Sequence, residues 1–260
     1  MLAVDIGNTN IVVGGYQGEE LCFSVRLSTD ATRTSYEYAA ILDSALGLYQ
    51  VDLPAVKGAI VSSVVPPLST ALCQAVRLLC PEVEPMLVGA GMKTGLNIRI
   101  DNPMELGADL LAAAVGAMVK YPLPAIVVDL GTATKILVVD ENKCFLGGSI
   151  MAGVMISLRA LSSDTAQLPH ISLDSPVRQV IGTNTVDCMK SGTILGAASM
   201  VDGMIQRYRE AMGKEATVVA CGGLAAPVIP HCPTPSIRDE HLGLEVGLAL
   251  DRRTEKEPVG

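Results

Sequence analysis

The stretch Val4-Asp5-Ile6-Gly7-Asn8-Thr9-Asn10-Ile11 stands at the start of the chain. It follows the apolar residues Met1 to Ala3, and the pattern Ile11 to Tyr16 resumes an extended run after it. An acidic residue closing a buried strand, then glycine, then amide and hydroxyl side chains, makes a tight strand-loop-strand turn. Gly7 lets the backbone turn and approach a ligand closely. Asn8, Thr9 and Asn10 add side-chain donors to the loop N–H groups, a chemistry suited to phosphate. Asp5 suits Mg²⁺ held through water, because that ion prefers oxygen ligands and keeps several waters. By itself the stretch is equally compatible with an ordinary polar hairpin.

The pattern recurs about half a chain later as Val128-Asp129-Leu130-Gly131-Thr132-Ala133-Thr134, again between apolar runs. Two such openings predict an α/β protein of two lobes with similar topology and a triphosphate such as ATP bound in the cleft. The expected lobes are residues 1–110 and 111–260. Gly147-Gly148 and Gly222-Gly223 offer further places for close backbone approach, the latter in a strand-to-helix turn after Thr217 to Ala220. Neither G-x-x-x-x-G-K-[ST] nor a helix-opening G-x-G-x-x-G is present, so the P-loop and dinucleotide fingerprints do not apply.

Between the two loops, strands are expected at Leu21 to Leu27, Ala59 to Val65 and Met86 to Val88. Helices are expected at Ser35 to Leu48 and Leu68 to Leu79. Asn102 to Lys120 carries a complete helix-start signature, with Asn102 as cap, Pro103 in the first turn and Glu105 three residues after the cap. Within its apolar part, Asp109 is the only charge between Leu106 and Val119. A buried unpaired carboxylate is costly, so Asp109 is expected to line a wet cleft or meet a partner. Ser162 to Val180 reads as an irregular excursion, and 252–260 as a frayed tail.

Composition bounds the function. The chain has 260 residues, is 49% hydrophobic and carries a net charge of −8, without a run of Lys and Arg. That argues for a globular enzyme and against a nucleic-acid surface. The seven cysteines are scattered, with no C-x-x-C, as expected of reduced thiols in the cytoplasm. No stretch approaches the ~20 apolar residues of a membrane span, and no secretory leader is read at the start.

Taken in order, the motifs resemble the type III pantothenate kinases of bacterial coenzyme A biosynthesis. They are V-D-I-G-N-T-N-I, R-L-S-T-D with R-T-S-Y-E-Y, S-S-V-V-P-P-L, M-K-T-G-L-N-I with D-N-P and G-A-D, V-V-D-L-G-T-A-T, G-G-S-I, I-G-T-N-T-V-D-C-M-K-S-G and C-G-G-L. The resemblance implies an actin-like (ribonuclease H-like) fold, a homodimer, and use of ATP, Mg²⁺ and a monovalent cation (K⁺ or NH₄⁺). The reaction it implies is transfer of the γ-phosphoryl group of ATP to the terminal hydroxyl of pantothenate. Carried over by position, Asp5, Ile6, Gly7, Asn8, Thr9, Asn10, Ile11, Val12 and Thr132 would bind ATP, with Asp5 near Mg²⁺. Gly107, Ala108, Asp109 and Thr185 would meet pantothenate, Asp109 would be the general base, and Asp129 would hold the monovalent cation.

Four positions depart from the family pattern. Leu110 follows Gly-Ala-Asp where Arg is usual, and Ile100 stands where Tyr is usual before Asp-Asn-Pro. Both family residues contact pantothenate, and losing the Arg fork is expected to weaken carboxylate binding by ~2–4 kcal/mol. Lys135 replaces Thr after the second phosphate motif and reads as a phosphate support or a solvated surface charge. Ala152 replaces a usual Pro. Two functions are therefore expected to compete: a pantothenate kinase, or an ATP-binding paralogue with another acceptor or a regulatory role.

Overall fold

The computed structural model describes residues 1–89 and 91–247, so the predicted tail lies outside the described residues. The chain divides into two compact units, one of residues 1–96, 101–119 and the described residues from 242 onward, the other of residues 97–100 and 120–241.

In the first unit the opening residues form β1 (Leu2–Ile6), β2 (Asn10–Gln17) and β3 (Glu20–Ser28), an antiparallel meander. Gly18 turns the second hairpin at a φ of +58°, a conformation that glycine adopts without strain. The chain continues through α1 (Ser35–Leu48), β4 (Ala59–Ser63), α2 (Pro66–Leu79), β5 (Met86–Leu87) and α3 (Ala108–Lys120). β4 adds parallel to β1 and β5 parallel to β4, giving the order β3-β2-β1-β4-β5. α1 begins with a capping box, in which the Thr34 side chain accepts from the Glu37 N–H and the Glu37 carboxylate accepts from the Thr34 N–H. The core is aliphatic around one large aromatic: Val4, Ile6, Ile11 and Val13 of the meander pack with Tyr38, Leu42, Leu68 and Leu72 of the helices.

Pro66 and Pro67 open α2, two residues before the start expected at Leu68. Their fixed φ and missing N–H groups suit the first helical turn.

Asn102 caps a single 3-10 turn, Pro103–Glu105, rather than the long helix expected from the sequence. Leu106 is extended, with φ −68° and ψ 114°, and α3 starts only at Ala108. Asp109 consequently lies in the first turn of the helix, and the expected lobe division at 110/111 falls within α3.

The second unit repeats the plan. It contains β6 (Asn97–Ile98), β7 (Ala125–Leu130), β8 (Ala133–Val139), β9 (Cys144–Ala152), α4 (Val154–Ser163), α5 (Thr185–Met212), β10 (Thr217–Cys221), α6 (Ala225–Val228) and β11 (Ile237–Arg238). The sheet order is β11-β10-β7-β8-β9-β6. β7, β8 and β9 form the antiparallel meander, while β10 and β11 add in parallel beyond β7. Apart from the short edge strand β6, this is the arrangement of the first sheet, so the sequence echo at Asp5 and Asp129 is also an echo of topology. Ile126, Val128 and Ile136 of the sheet pack with Ile194, Ala198, Val201 and Ile205 of α5. The irregular excursion expected from Ser162 to Val180 starts two residues later, because Ser162 and Ser163 close α4, and residues 164–184 contain no helix or strand.

Candidate functional site

In the first unit the phosphate-type loop is the β1–β2 turn. Its ladder runs to Ile6 opposite Ile11, leaving residues 7–10 as the loop. The Gly7 N–H donates to the Asn10 carbonyl at 2.9 Å, closing the turn. A Cβ on Gly7 would lie 3.1 Å from that carbonyl oxygen, so a side chain there would press on the turn. The end of β3 pins the loop from the other side. Thr29 Oγ1 donates to the Gly7 carbonyl at 2.7 Å, and the Thr29 N–H donates to the Thr9 carbonyl at 3.0 Å. Nothing in the local sequence of the loop marks Thr29, because the contact spans a whole hairpin.

Within this stretch the roles divide by burial. Ile6 and Ile11 are fully buried and hold the hairpin to the core. Asn8 and Thr9 are exposed, while Asp5, Gly7, Asn10 and Val12 are half-buried. Ile6 and Ile11 can therefore offer a ligand only backbone groups, whereas Asn8 and Thr9 can offer side chains.

Asp5 ends β1 in register with Ser62 on β4. The Ser62 hydroxyl is buried and has no hydrogen-bond partner among the described residues. A carboxylate beside an unused buried hydroxyl is an oxygen-donor set that fits water-bridged Mg²⁺. A 3-10 turn, Leu242–Glu245, completes the surroundings: a Cβ on Gly243 would lie 3.5 Å from Asp5 Oδ2. The same turn receives α3, since a Cβ on Gly116 would come within 2.3 Å of the Leu242 carbonyl oxygen. Gly116 is thus the small residue that lets α3 seat against the turn flanking Asp5. The helix of Asp109 and the loop of Asp5 are in this way parts of one packed unit.

At the start of α3, the Asp109 Oδ1 accepts from the Leu110 N–H at 2.8 Å, and a Cβ on Gly107 would stand 2.8 Å from the same oxygen. Gly107 keeps that side of the carboxylate clear. A carboxylate in the first turn is also favoured by the helix dipole. Gly107, Ala108, Asp109 and Leu110 are all half-buried.

In the second unit the β7–β8 hairpin holds Asp129. Its ladder runs to Leu130 opposite Thr134, so its loop is residues 131–133, one residue shorter than the first. Gly131 N–H donates to the Ala133 carbonyl at 3.1 Å. Two glycines make room for this loop. A Cβ on Gly153 would fall 2.0 Å from the Thr132 carbonyl oxygen, and one on Gly222 would fall 2.7 Å from Asp129 Oδ1. Gly222 also holds a φ of +89°, and two residues further on the Leu224 N–H donates to the Leu130 carbonyl at 3.0 Å. Thr132 is exposed.

Lys135 stands directly opposite Asp129 in the ladder, and its Nζ lies 2.7 Å from Asp129 Oδ2. The two side chains are only 14% and 18% exposed. Lys135 is therefore not a solvated surface charge. Thr185 is the first residue of α5 and is exposed. The cap before it is Asn184, whose Oδ1 accepts from the Asp187 N–H at 2.9 Å. Among the described residues no cluster of three His, Cys, Asp or Glu has metal-ligand geometry. No described helix is long and apolar enough to cross a membrane.

The family model for type III pantothenate kinase matches residues 1–207. A type III pantothenate kinase of an Exiguobacterium species is 44% identical over 250 residues, covering 96% of this chain and 97% of that protein. Its counterpart in Thermus thermophilus is 44% identical over 248 residues, covering 94% and 96%. Among solved structures, the activator of 2-hydroxyisocaproyl-CoA dehydratase from Clostridium difficile, with bound ADPNP, superposes with a TM-score of 0.55 at 15% identity, over 100% of both chains. An ethanolamine utilization protein from Carboxydothermus hydrogenoformans gives 0.53 at 17% identity, over 96% of this chain and 88% of that one. These likenesses and the repeated strand order make the fold actin-like (ribonuclease H-like) α/β. With relatives of that identity along nearly its whole length, the chain belongs to the type III pantothenate kinase family.

Proposed function

We propose that this chain transfers the γ-phosphoryl group of ATP to the terminal hydroxyl of pantothenate, the first step of coenzyme A biosynthesis. The observation that carries the reading is the family match along nearly the whole chain. The glycine-cleared carboxylate of Asp109 in the first turn of α3 supports it. The loop N–H groups and exposed side chains of Asn8, Thr9 and Thr132 hold the phosphates, with residues Asp5 to Val12 forming the ATP-binding turn. Gly107, Ala108 and Thr185 meet the acceptor.

Asp109 accepts the hydroxyl proton as the acceptor oxygen forms its bond to the γ-phosphorus. The bond from that phosphorus to the β–γ bridging oxygen breaks, and ADP leaves with the electron pair. Asp5 would hold Mg²⁺ through water, and the ion would supply charge neutralisation for the triphosphate. A homodimer in the cytoplasm belongs to the same reading. Exposed Ile150, Val180 and Ile181 offer apolar surface for a second copy, and light scattering in solution checks the assembly.

Pantothenate-dependent formation of ADP tests the reaction. Asp109→Asn is expected to lower kcat by about 10²–10⁴-fold, the usual worth of a positioned base, with ATP affinity unchanged. Absence of pantothenate-dependent ADP in the wild-type chain rejects the reading. A second reading, another acceptor on the same ATP site, is favoured by Leu110 and Ile100, which bring no donor to a carboxylate. Calorimetric titration separates the two, since ATP binding without pantothenate binding supports the second.

A further inference from the structure

We propose that the ammonium group of Lys135 is the resident cation of the second phosphate loop, occupying the place at Asp129 that a free monovalent cation was expected to take. The register carries the argument. In the first hairpin the residue opposite the loop aspartate is apolar, Val12 opposite Asp5; in the second it is Lys135 opposite Asp129. Side chains directly opposite one another share a face of the sheet and lie within reach. Here the ammonium nitrogen is 2.7 Å from the carboxylate oxygen, a direct charge-assisted contact.

Both groups are largely withdrawn from water, at 14% and 18% exposure, so the pair is screened far less than a surface pair. The carboxylate is also fixed in place: the Gly222 backbone lies so close that a Cβ there would stand 2.7 Å from Oδ1. A K⁺ ion bound to Oδ2 would sit a few ångströms from a positive charge already on that oxygen, and like charges at that range repel. The donor set therefore does not fit a free monovalent cation while Lys135 is present. A lysine ammonium has the charge of NH₄⁺ and three N–H donors, so it serves the same electrostatic purpose without depending on the salt in solution.

The inference rests on the kinase reading for its kinetic consequence, whereas thermal melting tests it without turnover. The full chain is melted in tetramethylammonium chloride and again with KCl or NaCl substituted at equal ionic strength; ADP formation with pantothenate is then measured in the same salts. The wild type is expected to show no K⁺-specific rise in Tm over NaCl, and rates within about two-fold across the salts. Lys135→Thr takes the ammonium away from Asp129 Oδ2 and is expected to gain a K⁺-specific rise of a few degrees, as linkage requires of a ligand that binds only the folded chain. Its rate in tetramethylammonium should fall about ten-fold or more and recover with K⁺, a cation-for-cation exchange. Lys135→Arg keeps the charge and should remain insensitive to K⁺ in melting.

A K⁺-specific stabilisation of the wild type overturns the proposal, and so does a folded Lys135→Thr chain that melts alike in all salts. Should Lys135→Thr fail to fold, the wild-type and Lys135→Arg melts still decide. Absence of pantothenate-dependent ADP in every salt rejects the kinase reading instead, and leaves the melting result to judge Lys135.

Discussion

Replacing Gly222 by Ala separates two costs that the second phosphate loop imposes on its glycine, and Gly213 supplies the control. Both residues have positive φ, +89° at Gly222 and +65° at Gly213. Gly213 is the left-handed cap of α5, and a Cβ there would meet nothing within 4 Å. Its replacement by Ala should cost about 1 kcal/mol, the left-handed penalty less the entropy removed from the unfolded chain. A Cβ on Gly222 would instead stand 2.6 Å from the Leu130 carbonyl carbon and 2.7 Å from Asp129 Oδ1. Both are less than van der Waals contact, and neither neighbour is the free end of a flexible chain. Such overpacking adds about 1–3 kcal/mol to the backbone penalty, so Gly222→Ala should cost about 2–4 kcal/mol.

Both glycines belong to the second unit, so one unfolding transition reports on both. Urea denaturation followed by circular dichroism measures the difference, with equal m-values as the check that only stability changed. Gly222→Ala should also weaken ATP binding, because the displaced carboxylate carries Lys135 with it. Equal destabilisation by the two substitutions would refute the steric argument. Full ATP affinity in Gly222→Ala would refute the link between that steric contact and the site.

Other perturbations read different parts of the molecule. Thr29→Val keeps the shape of the side chain but removes the 2.7 Å donor to the Gly7 carbonyl; it should cost about 1 kcal/mol and several-fold in ATP affinity by calorimetry. For Asp239, burial pushes the carboxyl up, but hydrogen bonds from Lys120, Tyr121 and the His241 N–H outweigh it and hold the group below the ordinary carboxylate range. The folded value is the lower one, so this stability is present above the unfolded pKa near 4 and is lost as pH falls through the folded value. Asp239→Asn should accordingly destabilise by about 2 kcal/mol at pH 7, a loss that narrows in acid melts. Cys22 and Cys188 are exposed, and Ellman's reagent should label these two thiols first. Cys232, its thiol pushed up to about 11 by burial and the neighbouring Asp202, should react only as the chain unfolds.

Much of this architecture was legible in linear patterns. The short apolar runs interrupted at Asp5 and Asp129 by an acidic residue and a glycine locate both hairpins, because a strand buried on both faces reads as an unbroken apolar run. The bounds of α1 match its capping box and its apolar face. The start of α3 departs from its linear signature. Asn102, Pro103 and Glu105 form a genuine cap, yet that cap serves one 3-10 turn before Leu106 extends and Gly107 intervenes. A cap signature reports the first turn it closes and says nothing about how many turns follow.

Read alone, the sequence determined the two phosphate-type loops, the likeness of the two halves and the family, since these rest on local spacing and ordered motifs. Only the tertiary structure decided what surrounds them. Thr29 reaches the first loop across a hairpin, and Gly116 and Gly243 bring α3 and the Leu242–Glu245 turn to the side of Asp5. The meaning of Lys135 changed most: six residues after Asp129 in the chain, it becomes the partner of that carboxylate because a three-residue loop sets the register. Hydrogen-bonded pairing between strands is a property of how the chain folds back, and no run of neighbouring residues records it.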